Sequence, residues 1–137
     1  MQTIMVGYDD SKSAGRALER AATLAKALSA QLVVTSVAPV TETAAGRSLG
    51  ADPTDSGGDH LRELACARNY LEQQGLKASY IEAVGHEGQA LVAAAVDRGA
   101  DLIIVGHAHA GVVGRLFGGS VPDTVAHHAA CDVLIVH

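Results

Sequence analysis

The sequence has no run of lysine or arginine, and its 10 basic side chains are outnumbered by 15 acidic ones, which gives a formal net charge of −5. The acidic residues are scattered along the chain rather than gathered in a tail. Binding to nucleic acid or to an anionic membrane surface requires a basic patch or stripe. We therefore expect neither a nucleic acid nor a membrane among the partners of this protein.

Long apolar stretches are also missing, since none approaches the ~20 residues needed to cross a bilayer. The opening "MQTIMVGYDDS" lacks the positively charged segment and apolar core of a secretory signal. Cysteine is scarce, since the sequence contains only Cys66 and Cys131. They lack CxxC spacing and do not belong to a set of four or six cysteines that could form a disulfide framework. We expect a cytoplasmic protein whose two cysteines are reduced packing residues.

The chain is nevertheless rich in hydrophobic residues, which make up 48% of its 137 positions. A chain of this length and composition can bury one sizeable core, so we expect a single domain over 1–137. The segment 38–58 is rich in Ala, Gly, Thr, Ser and Asp and is too long for an ordinary connection between a strand and a helix. We predict that it is a mobile loop.

Short β-branched runs alternate with stretches of helical period, which is the pattern of parallel α/β units. The predicted first helix places Ala17, Ala21, Leu24, Ala25 and Leu28 on one face. The pattern indicates a doubly wound open parallel sheet with helices on both faces, and ligands of such sheets bind beyond the carboxyl ends of the strands. The predicted strands are 3–7, 31–37, 77–83, 101–106 and 132–137, and the helices are 11–30, 59–74, 87–98 and 120–129.

The first predicted strand ends in "GYDDSKS", which places Asp9 and Asp10 at this carboxyl edge. A carboxylate there can accept a hydrogen bond from a ribose hydroxyl or from an adenine-edge donor. One of Asp10, Ser11 and Ser13 is needed to cap the helix that follows. For Asp10 we prefer the capping role, and for Asp9 the ligand contact.

The fourth predicted strand leads into "GHAHAGVVGRLFGGS" at 106–120. Its glycines would let backbone N–H groups approach an anion, and the helix beginning near Ser120 would add its unpaired N–H groups and its dipole. The same residues also make an ordinary helix start, with Ser120 as cap and Pro122 and Asp123 in the first turn. The loop matches neither GxxxxGK[ST] nor GxGxxG, so both interpretations stay open.

The histidines of this region suggest a metal site, because His107 and His109 form His-x-His. A zinc site needs a third and a fourth ligand, and no cysteine or glutamate has the spacing to supply them. We therefore interpret these histidines as solvent-exposed and predict no metal ligands; His128 is expected to meet the C-terminal carbonyls of its helix. Catalytic residues are not predicted either, because the sequence has no GxSxG elbow, paired-carboxylate spacing or Walker lysine. Slow hydrolysis of bound ATP is the most catalysis that the sequence allows.

Three stretches together resemble the universal stress protein family: "IMVGYDDSKSAGRAL", "GADLIIVG" and "GGSVPDTVAHHAACDVLIVH". The resemblance spans essentially the whole chain. It implies a five-stranded parallel sheet in the order 3-2-1-4-5 and a stress-associated regulatory role exercised through a protein partner not identifiable from the sequence. It also implies a homodimer in which the last strand, 132–137, pairs with its counterpart.

ATP-binding members of this family carry G-x2-G-x9-G-[ST] after the fourth strand. The resemblance therefore implies an adenine nucleotide ligand, with ATP the first choice and Mg²⁺ as a candidate companion ion. His109 stands where the motif has its second glycine, and its ring either crowds the expected phosphates or donates a hydrogen bond to one of them. Pro122 stands where a serine is common and offers neither a hydroxyl nor an N–H to a phosphate. The alternative is a dimeric interaction protein of the same family that binds no nucleotide. The implied site comprises Asp9 for ribose or adenine, the Val37 backbone for adenine, Gly106, Gly119 and Ser120 for phosphate, Gly111 and Gly114 as loop-shaping residues, and His109 and Arg115 as additional candidate phosphate contacts.

Overall fold

The computed structural model describes residues 1–38, 40–42, 48–51, 57–107 and 120–137. Strands and helices alternate along this described part of the chain, as the sequence pattern predicts, apart from two short strands that follow the second strand. The elements are β1 (Thr3–Gly7), α1 (Lys12–Leu28), β2 (Gln31–Ala38), β3 (Val40–Glu42), β4 (Ser48–Ala51), α2 (Gly57–Gln73), β5 (Ala78–Val84), α3 (Glu87–Arg98), β6 (Leu102–Gly106), α4 (Val121–His128) and β7 (Asp132–Val136).

The main sheet has five parallel strands in the order β5-β2-β1-β6-β7. Numbering only these five strands along the chain turns this order into 3-2-1-4-5, so the predicted fold class and strand order are confirmed. The first two crossovers lead from β1 towards β5, and the third returns past β1 to β6. The winding direction therefore reverses between β1 and β6, which is where open α/β sheets bind their ligands.

Alternate residues of the central strands point to opposite faces of the sheet, and each face has its own hydrophobic cluster. Ile4 and Val6 of β1 pack with α1 and α2, whereas Met5 packs with α3 and α4. All three side chains are fully buried. Because both faces are covered, β1 and β6 are almost wholly apolar, as expected for parallel strands, while β2 also buries the polar side chains of Thr35 and Ser36.

Helix α1 lies against the sheet through small side chains. Ala17 and Ala21 are completely buried and Ala25 nearly so, and the alanine stripe lets the helix approach the strands closely. Leu24 is only partly buried, and Leu28 is 47% exposed. The prediction that Leu28 belongs to the buried face is wrong, because the helix ends there and Ser29 turns away in a left-handed conformation.

The sequence did not predict β3 and β4, which form a two-stranded antiparallel sheet within 38–58. The mobility of 38–58 remains a prediction. β1 and α3 have their predicted bounds, and the other predicted elements differ from theirs by one or two residues at an end, including α1, for which the sequence predicted 11–30. None of the helices in the described part of the chain is long and apolar enough to cross a membrane.

Helices α3 and α4 pack closely near their N-terminal ends. A Cβ atom added to Gly88 would lie 2.6 Å from the Cβ atom of Thr124, so this approach needs a residue without a side chain. Gly88 is the second residue of α3, and Thr124 is the fourth of α4. The contact places the first turns of the two helices side by side at the carboxyl edge of the sheet.

Candidate functional site

A cleft opens at this edge, at the carboxyl ends of β1 and β6. Gly7 and Gly106 form its floor, and the walls come from the first turns of three helices: Ser13 of α1, Glu87 of α3 and Val121 of α4. We call it the switch-point cleft; the described residues lining it also include Asp9, Ser11, Ala14, Leu91 and Val105. Three positive helix-dipole ends thus meet at one place, which favours an anionic ligand group.

The turn between β1 and α1 holds Asp9 at the mouth of the cleft. The Asp9 Oδ1 atom accepts a hydrogen bond from the backbone N–H of Ser11 at 3.0 Å, and Ser11 in turn caps α1 by accepting from the N–H of Ala14 at 3.1 Å. Asp9 is exposed. A carboxylate has lone pairs beyond the one used in this turn, so Asp9 can also accept from a ligand hydroxyl or amino group.

Asp10 does not cap α1, so the preferred interpretation of this residue was wrong and Ser11, one of its alternatives, is the cap. The backbone of Asp10 is left-handed, with φ at 62°, a conformation that aspartate tolerates better than most residues. Its carboxylate accepts from the hydroxyl of Tyr8 at 2.9 Å. Burial, followed by this bond, raises the pKa of Tyr8 well above its usual range. Asp10 therefore contacts Tyr8 and is not among the residues that line the cleft.

Gly106 lies at the end of β6, directly against the start of α1. A Cβ atom added there would lie 2.4 Å from the backbone carbonyl oxygen of Ser13. The sequence suggested that this glycine lets a phosphate approach. The structure supplies a packing reason as well: the first turn of α1 approaches β6 so closely that no side chain fits between them.

Helix α4 begins as the capping interpretation predicts. Ser120 has an extended backbone, and its side chain accepts from the N–H of Asp123 at 3.3 Å. Pro122 lies in the first turn and is buried. The capping and phosphate interpretations stay compatible, because a capped helix end retains further N–H groups and its dipole.

Val37 lies beyond the end of β1, on the neighbouring strand. The N–H of Tyr8 donates to the carbonyl of Thr35, and the N–H of Gly85 donates to that of Ala38. In a strand with a parallel neighbour on each side, the backbone groups of successive residues face opposite neighbours. Thr35 faces β1 and Ala38 faces β5, so Val37 directs its N–H and C=O towards β1. The register of β1 ends with Gly7 opposite Thr35, so these groups point into the space past the strand end. A base lying there would meet them.

Five of the predicted site residues lie outside the described part of the chain, and their roles remain predictions from the sequence: His109, Gly111, Gly114, Arg115 and Gly119. Of the others, Asp9 and Gly106 line the switch-point cleft, while Ser120 immediately precedes Val121 in its wall. The sequence reasoning missed Ser13 and Glu87. Both sit at predicted helix starts, and helix starts after parallel strands lie at the ligand-binding edge, so this signal was available.

The described histidines His107 and His128 make separate contacts. The rings of His107 and His137 stack with centroids 4.6 Å apart, and the His128 ring bonds the carbonyl of Thr124 at 2.9 Å, as predicted for a helix C-terminus. The residues that the structure describes include no group of three or more His, Cys, Asp or Glu side chains able to hold a metal ion.

Both cysteines are free. Cys131 is partly buried against the α3 and α4 side of the sheet, and burial raises the pKa of its thiol. Cys66 lies on the exposed face of α2, so its prediction as a packing residue was wrong.

The sheet order defines a doubly wound α/β domain, and its cleft lies at the topological switch point, where open sheets of this kind bind their ligands. The sequence model of the universal stress protein family matches residues 1–137, and the chain belongs to this family. A universal stress protein of Mycobacterium tuberculosis is 33% identical over 140 residues, covering 99% of this chain and 96% of the relative. One from Thermus aquaticus is 31% identical over 147 residues, covering 98% of each.

Solved structures show the same similarity. A universal stress protein crystallised in complex with cAMP superposes with a TM-score of 0.79 at 31% identity, covering 99% of this chain and 97% of that one. A member of the family from Burkholderia pseudomallei superposes with a TM-score of 0.71 at 26% identity, covering 98% and 95%.

Proposed function

We propose that this protein is a stress-associated regulatory protein of the cytoplasm that binds an adenine nucleotide in the switch-point cleft. The observation that carries the proposal is the meeting of Asp9 with the first turns of three helices at the carboxyl ends of β1 and β6. This arrangement offers a carboxylate to a sugar or base and helix N-termini to a phosphate. The cAMP complex of a family member 31% identical to this chain supports the adenine part of the proposal.

Two adenine nucleotides are candidate ligands, and a different observation supports each. The G-x2-G-x9-G-[ST] pattern favours ATP, but His109 and Pro122 depart from the forms that bind it. Losing one or two charge-assisted hydrogen bonds at about 1.5 to 3 kcal/mol each would weaken affinity by roughly tenfold to several hundredfold or more. The related cAMP complex makes the cyclic nucleotide the second ligand to test.

Extraction of the purified protein under denaturing conditions, followed by mass spectrometry, tests this proposal directly. We expect a co-purified adenine nucleotide. Calorimetric titration of the emptied protein with ATP and Mg²⁺, and separately with cAMP, is then expected to give micromolar or tighter binding of at least one of them. Guanosine triphosphate serves as the matched control for the base. An empty extract and no heat up to millimolar ligand would contradict the proposal and favour the alternative of an interaction protein without a nucleotide.

We also propose a homodimer formed through β7, which is an edge strand of the sheet. The N–H of His107 donates to the carbonyl of Val136, so the backbone groups of Val136 and of every second residue before it face β6. Val133 and Ile135 therefore direct their backbone groups to the open edge. Their side chains and that of Leu134 are only half-buried. An edge that pairs with no other strand among the described residues, and that carries apolar side chains, is suited to pairing with a second copy of the strand.

Replacing Ile135 by proline removes an N–H from the open edge without removing a bond to β6. The wild-type protein is expected to have twice the 14.0 kDa mass of one chain in light scattering coupled to size exclusion, and the Ile135→Pro variant to have the single-chain mass. Ile135→Ala, which keeps the N–H, is the control and should remain dimeric. A wild-type monomer, or a proline variant that stays dimeric with wild-type circular dichroism, would refute pairing through β7.

A further inference from the structure

The turn between β1 and α1 contains a hydrogen bond that none of the proposed ligand contacts uses, from the hydroxyl of Tyr8 to the carboxylate of Asp10 at 2.9 Å. We propose that Tyr8 is a positioning residue for the nucleotide site. Through this bond it holds the turn in the conformation that presents Asp9 to the ligand. This inference rests on the proposed function, because it concerns how the carboxylate of that site is oriented.

Tyr8 is held through both its backbone and its ring. Its N–H donates to the carbonyl of Thr35 at 2.9 Å, so the residue continues the pairing of β1 with β2. Its side chain is buried in the hydrophobic cluster on the α1 and α2 side of the sheet. Among the described residues, Asp10 is the hydrogen-bond partner of its hydroxyl. The ring therefore offers the Asp10 carboxylate a donor at a defined place.

The backbone of Asp10 needs a constraint of this kind. Its φ of 62° lies in the left-handed region, which residues other than glycine occupy at a cost. The Asp10 side chain is exposed, so burial does not hold it in place. Within the described part of the chain, the hydroxyl of Tyr8 is the group that this side chain bonds. The bond thus stabilises a conformation that the residue would otherwise leave more often.

The conformation of Asp10 in turn determines where the Asp9 carboxylate points. The Oδ1 atom of Asp9 accepts from the N–H of Ser11 at 3.0 Å, and this bond spans Asp10. A change in the φ and ψ angles of Asp10 turns that N–H relative to Asp9, and the carboxylate loses the bond that orients it. A side chain that is not held beforehand gives up more freedom when a ligand binds. Loss of the Tyr8 hydroxyl should therefore weaken the Asp9 contact without removing it.

Substitutions at position 10 separate the hydrogen bond from the backbone conformation. Asparagine keeps an acceptor oxygen for Tyr8 and tolerates the left-handed region, so Asp10→Asn should retain wild-type affinity. Glycine loses the bond but adopts positive φ freely, so Asp10→Gly should bind within about threefold of the wild type. Alanine has neither property. Because affinity falls with the fraction of molecules in the competent conformation, Asp10→Ala is expected to bind about tenfold more weakly.

The test is calorimetric titration with cAMP, and separately with ATP and Mg²⁺. We expect Tyr8→Phe to weaken binding by about three- to tenfold. In the Asp10→Gly and Asp9→Asn backgrounds the same substitution should change affinity by less than about twofold, because the first no longer needs the bond and the second lacks the charged group that the bond positions. The matched control is Tyr70→Phe, which removes a hydroxyl from a partly buried tyrosine packed against the same cluster and outside the cleft lining.

Three results would overturn the inference. A Tyr8→Phe variant that binds as tightly as the wild type would show that the bond does not position Asp9. An equal loss in Tyr70→Phe, or a loss of full size in the Asp9→Asn background, would assign the effect to a general loosening of the fold. In both cases the wild-type protein still binds its nucleotide, so the proposed function stands. A wild-type protein that binds neither cAMP nor ATP would overturn the proposed function and this inference together.

Discussion

Replacing Gly106 by alanine is expected to lower the free energy of unfolding by about 3 kcal/mol, the upper part of the range for overpacking a well-packed site. The new Cβ atom would lie 2.4 Å from the carbonyl oxygen of Ser13, which belongs to the backbone of the first turn of α1. A backbone atom cannot change rotamer to make room, so α1 must move away from β6. The same movement would widen the switch-point cleft, and nucleotide affinity is expected to fall as well.

Urea unfolding of three alanine variants checks this explanation, because the glycines differ in what surrounds them. A Cβ atom at Gly7 would meet a methyl group of Leu91 at 2.9 Å, and the flexible end of a leucine can shift, so a smaller loss is expected. At Gly15, within α1, nothing lies within 4 Å, and alanine should stabilise the helix by roughly 0.5 to 1 kcal/mol. A Gly106→Ala variant as stable as the wild type would show that the close approach of α1 to β6 does not constrain this position.

The succession of strands and helices along the chain could be predicted from the apolar runs and the helical period, because burial on both faces of a parallel sheet leaves a strong signal in the sequence. The spatial order of the strands could be predicted only from the resemblance to the family. The same reasoning failed for Leu28, which has the right helical position but is the last residue of α1 and is largely exposed. Helix period predicts which way a side chain points and says nothing about whether a neighbour is there.

The candidate site was predictable to a smaller degree, because its residues come from separate elements. Asp9 and Gly106 were identified from their places at strand ends. Glu87 was not, although its place at a predicted helix start after a parallel strand was a signal for the ligand-binding edge; the structure then shows it among the residues that line the same cleft. The capping of α1 was ambiguous from sequence because three neighbouring residues have suitable oxygens, and the left-handed backbone of Asp10 decided in favour of Ser11.

The substitution Asp9→Asn is expected to weaken binding of the adenine nucleotide by roughly tenfold to a hundredfold or more. The asparagine Oδ1 atom can still accept from the N–H of Ser11, so the turn that positions the residue is retained. What is lost is a charged acceptor for a ligand hydroxyl or amino group, and hydrogen bonds to charged groups contribute about 1.5 to 3 kcal/mol. Asp10→Asn is the control, because Asp10 bonds Tyr8 and does not line the cleft.

Modified ligands identify the group that Asp9 contacts. If the partner is the ribose 2′-hydroxyl, the 2′-deoxy form of the ligand binds the wild-type protein more weakly but binds Asp9→Asn as well as the parent does. If the partner is the adenine amino group, the inosine form shows this pattern instead. In either case the two losses are not additive, which is the signature of a direct contact. Unchanged affinity of Asp9→Asn for a nucleotide that the wild type binds would remove Asp9 from the site and move the sugar and base away from the mouth of the cleft.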